Sequence, residues 1–146
     1  MKVKIYKDSD HDLPSYQTPG AAGVDLYAKL EAPLELDSLE RALVPTGIHL
    51  GIPQGYEGQV RARSGLAIKK GLSLANGIGT IDSDYRGEIK VIVVNLSRDK
   101  ITLQDGDRIA QMVFAKVERA QFEETLSLEE LGETKRQEKG FGHTGV

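Results

Sequence analysis

Cysteine is absent from the 146 residues. The chain therefore has no disulfide framework, no thiolate metal site and no cysteine nucleophile. Tryptophan is absent too, and histidine occurs three times, as His11, His49 and His143. These three are too far apart to pair as ligands at helical or strand spacing, which argues against a zinc ion held by the protein alone. No apolar run approaches membrane-spanning length, and the opening MKVKIYKDSD lacks the apolar core of a secretory leader. An excess of positive charge is also missing: 19 Lys and Arg stand against 22 Asp and Glu, a net charge of -3. Non-specific nucleic-acid binding needs a basic surface. The expectation is a soluble, cytoplasmic protein with neither nucleic acid nor membrane as partner.

What is present points to β structure. The length suits one domain large enough to bury a core. Sixteen glycines and five prolines punctuate the chain, and long helical periodicity is lacking. Short β-type runs recur at Val3–Tyr6, Val24–Ala28, Leu43–Leu50, Tyr56–Arg63, Leu72–Leu74, Glu88–Asn95, Ile101–Leu103 and Arg108–Val117. Many short strands at such spacing suggest an all-β sandwich or barrel. Ser64–Lys70 is the one helical turn expected, with Ser64 as N-cap, and Ser127–Glu130 fits a capping box. Strict alternation along Arg108–Val117 places Gln111 on one side with Ile109, Val113 and Ala115. An amide on an apolar face needs partners, from the chain or from a ligand. From Glu118 onward seven acids and four basic residues accompany few large apolar ones. The final Thr134–Val146 cannot build a core and should be mobile alone.

Five segments could carry chemistry, and each has an ordinary counterpart. Gly79–Ile89 (GTIDSDYRGEI) sets Asp82 and Asp84 beside Tyr85 at a bend where a substrate can reach them, or is a plain acidic hairpin turn. In ARSGLAIK, Arg63, Ser64 and Gly65 stand at a helix start, an anion site or a capped surface turn. In GAAGVDLYA, Asp25 points opposite Val24 and Leu26; it could hold a metal-bound water or simply face solvent. Asn76-Gly77 is a strong hairpin signal that could also present backbone groups to the edge of a base. GDRIAQM adds Gln111, with Asp107 and Arg108 closing a loop. In the tail, Gly-flanked Phe141 could lie over a planar base, or the terminus could be disordered.

Taken in order, AGVDL, RSGLA, NGIGTIDSDYRG, GDRIAQ and R-x-x-x-GFG-x-TG resemble the five motifs of the homotrimeric dUTP diphosphatase (dUTPase) family, from Gly20 to Gly145. The resemblance implies a jelly-roll-like distorted β-barrel with one short helix, residues 1–133, and a mobile C-terminal arm, residues 134–146. It implies Mg²⁺-dependent cleavage of dUTP to dUMP and pyrophosphate in sites built from three subunits. By position, Asp82 is the base that activates water against the α-phosphorus. Asp25 holds Mg²⁺ through water. Arg63, Ser64, Gly65 and Gln111 bind phosphate; Asn76, Gly79 and Ile81 read uracil; Tyr85 packs on deoxyribose. Arg136 meets the γ-phosphate, Phe141 with Gly142 covers the uracil, and Thr144 adds a phosphate contact. Ala62 stands where the family commonly has proline, Gln137 and Lys139 where it has glycine, and His143 where it has serine. The related dCTP deaminases need a glutamate on the strand after the aspartate segment; Ile89–Asn95 contains no acid.

Overall fold

Alternating burial builds most of the strands. In Glu88–Asn95, Ile89, Val91 and Val93 are buried while Lys90 and Ile92 face out, the period of two that a half-covered strand requires. A computed structural model describes residues 1–138. Its strands in chain order are Lys4–Lys7 (β1), Gly23–Tyr27 (β2), Leu34–Leu36 (β3), Arg41–Gly51 (β4) and Tyr56–Arg61 (β5), then the helix Ser64–Lys70 (α1). Leu72–Leu74 (β6), Gly79–Ile81 (β7), Glu88–Asn95 (β8), Ile101–Leu103 (β9) and Arg108–Lys116 (β10) follow. They form two four-stranded sheets, in order β1-β4-β8-β6 and β2-β10-β5-β7, and a two-stranded sheet β3-β9. The all-β expectation holds, with open sheets and no closed barrel among the described residues.

One apolar core joins the three sheets. Leu26, Val60 and Met112 come from one four-stranded sheet, Val44, Leu72 and Val91 from the other, and Leu36 and Ile101 from the small one. Each such side chain contributes about 1.5–3 kcal/mol by leaving water. Asn95, fully buried in this core, donates to the carbonyls of Leu36 (2.9 Å) and Asp99 (2.8 Å) and accepts from the Ser97 backbone N–H (2.9 Å). Beyond Lys116 the described residues add only a turn of 3-10 helix, Glu129–Leu131, and Phe122 and Leu126 are almost wholly exposed.

Five expectations need correction. β3 and β7, three residues each, are strands that the expected runs do not include. Ser64 is not the N-cap: Arg63 is, with extended backbone (φ -94, ψ 120) and a carbonyl that accepts from Leu66 and Ala67 N–H at 3.0 Å. Ser127–Glu130 forms no capping box, since the 3-10 turn starts after Leu128 without a side-chain cap. The Asn76-Gly77 turn closes no hairpin, because β6 pairs with β8 and β7 pairs with β5; the turn carries the chain between sheets. The bend Asp82–Gly87 does likewise in returning from β7 to β8.

The alternation along β10 is also broken. A register shift between Arg108 and Ala110 buries both Ile109 and Ala110. Ala110 and Met112 then face the core opposite Leu26 and Val24, while Gln111 stands opposite Asp25 on the outer face. Gln111 is thus separated from Ile109, with which simple alternation groups it.

Candidate active site

Three separate segments converge on the outer face of the β2-β10-β5-β7 sheet. Asp25 is flanked by buried Val24 and Leu26, so the pleat turns its carboxylate outward. The strand register sets Gln111 directly beside it. β5 ends at Arg61, and the chain turns through Arg63 into α1 over the same place. Asp25, Arg63, Ser64, Gly65 and Gln111 line one open cleft of about 450 Å³, together with Leu66 and Lys69.

The cleft is held by charge. Arg63 Nε lies 2.9 Å from Asp25 Oδ1, and Arg108 Nη1 lies 3.4 Å from Asp25 Oδ2. Arg63 Nη1 also donates to the Arg108 carbonyl at 3.2 Å. The Asp25 side chain is only 14% exposed, so its charge is poorly hydrated and depends on these guanidiniums. Gln111 Nε2 donates to the Ala62 carbonyl at 3.0 Å, which leaves the amide oxygen toward β2. The first N–H groups of α1 have no partner within the helix. Ser64 spends no side-chain bond on capping, and a β-carbon built on Gly65 meets nothing within 4 Å. An anion in the cleft can therefore approach backbone amides, a hydroxyl and the Arg63 guanidinium at once.

The aspartate segment lies elsewhere on the chain. Asp82 is exposed on the bend after β7 and lines a different cleft, of about 490 Å³, with Glu57, Thr80, Asp84 and Arg119. β7 is the edge of its sheet, so alternate backbone N–H and C=O groups of Gly79–Ile81 point away from β5. Ile81 packs its side chain partly on the core and has only backbone to offer a ligand. Asn76 reaches back to this strand: its Nδ2 stands 3.3 Å from where a β-carbon on Gly79 would sit. The Tyr85 hydroxyl donates to the Glu88 carbonyl at 3.0 Å, which fixes the ring across Gly87.

The structure thus joins Asp25, Arg63, Ser64, Gly65 and Gln111, joins Asn76, Gly79 and Ile81 separately, and places Asp82 and Tyr85 on the bend between β7 and β8. Arg136 is exposed among the described residues, while Phe141, Gly142 and Thr144 lie outside them. Two cations have no part in the site on sequence grounds: Lys69 in the cleft lining, and Arg108, which is expected only to close a loop. Lys69 lies one helical turn beyond Gly65, a spacing that could have revealed it. Arg108 reaches Asp25 only because of the register shift in β10, which no local signal announces. Glu88 opens β8, as expected for the run Glu88–Asn95, and stands one residue before the acid-free Ile89–Asn95. Its Oε1 accepts from the Gly47 N–H at 2.8 Å and its Oε2 lies 3.5 Å from Lys90 Nζ, so it has structural work.

Comparison with known proteins bears on the family and the fold. The family model described as dUTPase matches residues 9–145. A deoxyuridine 5'-triphosphate nucleotidohydrolase of Finegoldia magna is 55% identical over 145 residues, covering 99% of both chains. Its namesake in Fusobacterium nucleatum is 52% identical over 145 residues, covering 99% of this chain and 97% of that one. Among solved structures, a glycine-to-serine mutant of a Staphylococcus bacteriophage 80alpha dUTPase with dUpNHpp superposes with TM-score 0.86 at 24% identity, covering 99% of both chains. An aspartate-to-asparagine mutant of the dUTPase of Staphylococcus aureus phage phi11, with a structural Mg(II) ion, gives TM-score 0.78 at 20% identity over 88% of this chain and 99% of that one.

Proposed function

This chain belongs to the dUTPase family, and on that premise we propose that it hydrolyses dUTP to dUMP and pyrophosphate. The observation that carries the reading is the convergence of Asp25, Arg63–Gly65 and Gln111, three distant stretches of sequence, on one anion-ready cleft. The cleft has the Arg63 guanidinium, a hydroxyl and backbone amides for a triphosphate. The edge strand β7 has free hydrogen-bonding groups for a planar base, and Tyr85 has a fixed ring for the sugar.

In this reading Asp82 is the base. It takes a proton from a water as the water oxygen bonds to the α-phosphorus, and the bond from that phosphorus to the pyrophosphate oxygen breaks. A carboxylate is a weak base for this step. Orientation and charge neutralisation must then carry much of the rate. Arg63, Ser64, Gly65 and Gln111 bind and orient the phosphates. Asn76, Gly79 and Ile81 meet the uracil, and Tyr85 excludes a 2′-hydroxyl. Residues 134–146 act as an arm that closes over the site, with Arg136 on the γ-phosphate, Phe141 and Gly142 at the base, and Thr144 on phosphate. Closure keeps bulk water out.

Asp25 is the one acid lining the cleft among the described residues, and no cluster of three or more possible metal ligands exists among them. That donor set fits Mg²⁺, which keeps its waters and takes phosphate oxygens, with Asp25 holding it through water. When bound, the cation neutralises phosphate charge. Asp82 and Asp25 line different clefts, which supports sites shared between copies in a homotrimer. No helix among the described residues is long and apolar enough to cross a membrane; the cytosol as place of work, and a role in nucleotide-pool sanitation and dUMP supply, follow from the family likeness.

The test is a nucleotide panel (dUTP, dCTP, dTTP and UTP) with Mg²⁺ and separate detection of pyrophosphate, orthophosphate and ammonia. Pyrophosphate from dUTP alone is expected. Orthophosphate as first product, or ammonia from dCTP, would refute the reading.

A further inference from the structure

The two arginines on Asp25 have unequal duties. Arg63 opens the phosphate-binding turn before α1, and a triphosphate in the cleft competes with Asp25 for its guanidinium. Arg108 lies outside the residues that line the cleft, yet touches the other oxygen of the same carboxylate. Its placement is built into the backbone. In a regular β10, Arg108 would share the core face with Ala110 and Met112. The register shift at Ile109 sets Arg108 opposite Tyr27 instead, on the same outer face as Asp25 and Gln111. Bulges re-aim side chains in this way at the cost of a ladder bond. The segment is pinned on both sides: Asp107 Oδ2 accepts from the Gln104 N–H, and the Asp107 carbonyl accepts from the Ala28 N–H, each at 2.8 Å.

We propose that Arg108 is a positioning residue: it holds the Asp25 carboxylate in place so that Arg63 is released to the triphosphate. A mostly buried carboxylate does not give up its only cation readily. With Arg108 beside it, Asp25 keeps a counter-charge when Arg63 swings away. Without Arg108, Asp25 retains Arg63, and the nucleotide must compete for it. The inference rests on the proposed function, because it takes the cleft's anion to be a nucleoside triphosphate.

The experiment is a double-mutant cycle of Arg108→Gln and Asp25→Asn, read as the affinity for non-hydrolysable α,β-imido-dUTP by calorimetry without metal. Arg108→Gln is expected to weaken binding about tenfold when Asp25 is present and no more than about twofold in the Asp25→Asn background, where nothing retains Arg63. Arg108→Lys keeps the cation and should stay within about twofold of the unsubstituted protein. An equal loss in both backgrounds would mean that Arg108 acts on the phosphates directly and would overturn the proposal, as would no loss in either or no rescue by lysine. Thermal unfolding of each variant separates these effects from misfolding. Failure of the unsubstituted protein to bind the analogue overturns the proposed function itself.

Discussion

The amide oxygen of Gln111 occupies the space that a β-carbon on Gly23 would fill, 2.8 Å from that position. The glycine two residues before Asp25 therefore sets where the Gln111 amide can rest. Gly23→Ala should leave the fold intact, within about 1 kcal/mol, because the far end of a side chain can yield. If Gln111 binds phosphate as proposed, the displaced amide should raise KM for dUTP roughly tenfold, the worth of one charge-assisted hydrogen bond. Steady-state kinetics beside a melting curve check this; an unchanged KM would remove Gln111 from phosphate binding.

Tyr85 and Gly87 make a similar pair. A β-carbon on Gly87 would stand 2.2 Å from the Tyr85 hydroxyl, so Gly87→Ala must expel the phenol from its bond to the Glu88 carbonyl. If the ring excludes a 2′-hydroxyl, the preference for dUTP over UTP in kcat/KM should fall about tenfold or more. Tyr85→Phe keeps the ring over Gly87 and should lose less. Equal preference in both variants and the unsubstituted chain would take Tyr85 out of sugar selection.

Strand faces were legible where alternation is unbroken. Val24-Asp25-Leu26 told correctly which way Asp25 points, and Ile89, Val91 and Val93 announced the core of β8. The eight strand segments and α1 carried enough β-branched residues or turn punctuation to be placed. β3 and β7 did not, although β6 and β9 are equally short; they pair with β9 and β5, partners distant in sequence. Pairing partners were equally hidden: Asn76-Gly77 has the local chemistry of a hairpin, but its flanking strands go to different sheets. The same limit applied to the cleft. Asp25, Arg63 and Gln111 were identifiable from their motifs, whereas Arg108 depends on one inserted residue in β10, a non-local feature.

Asp82→Asn should keep nucleotide binding and lower kcat by about 10²–10⁴-fold, the usual contribution of a positioned general base. The asparagine is nearly isosteric and cannot accept the proton. Asp82 is exposed on its bend, so stability should hardly change. Single-turnover kinetics with saturating dUTP separate chemistry from binding. A fully active variant would rule out the base assignment.

Among the residues that truncation after Thr134 removes, positions 135–138 are described, and all four are exposed. The melting temperature should stay within about 2 °C. Loss of Arg136, Phe141 and Thr144 should nonetheless cut kcat/KM about 100-fold or more if the arm closes over substrate, because closure supplies orientation and excludes water. Full activity of the truncated chain would remove the arm from the site.

Acid stability has its own probe at Asp105. The Leu30 backbone N–H donates to its Oδ1 at 2.8 Å, and His11 Nε2 lies 3.1 Å from the same oxygen. These contacts, the Leu30 bond foremost, hold its pKa below the ordinary carboxylate value. The folded chain thus binds fewer protons here than the unfolded chain, and stability rises with pH across that interval. The contribution is complete above the unfolded value of about 3.9 and is lost as pH falls through the lower folded value. Asp105→Asn cannot titrate, so it should be less stable than the unsubstituted chain at neutral pH, with the difference shrinking below about pH 4. Urea midpoints between neutral and acid pH measure it. A gap that stays constant on acidification would show that the charge of Asp105 has no part in tying Leu30 and His11 together.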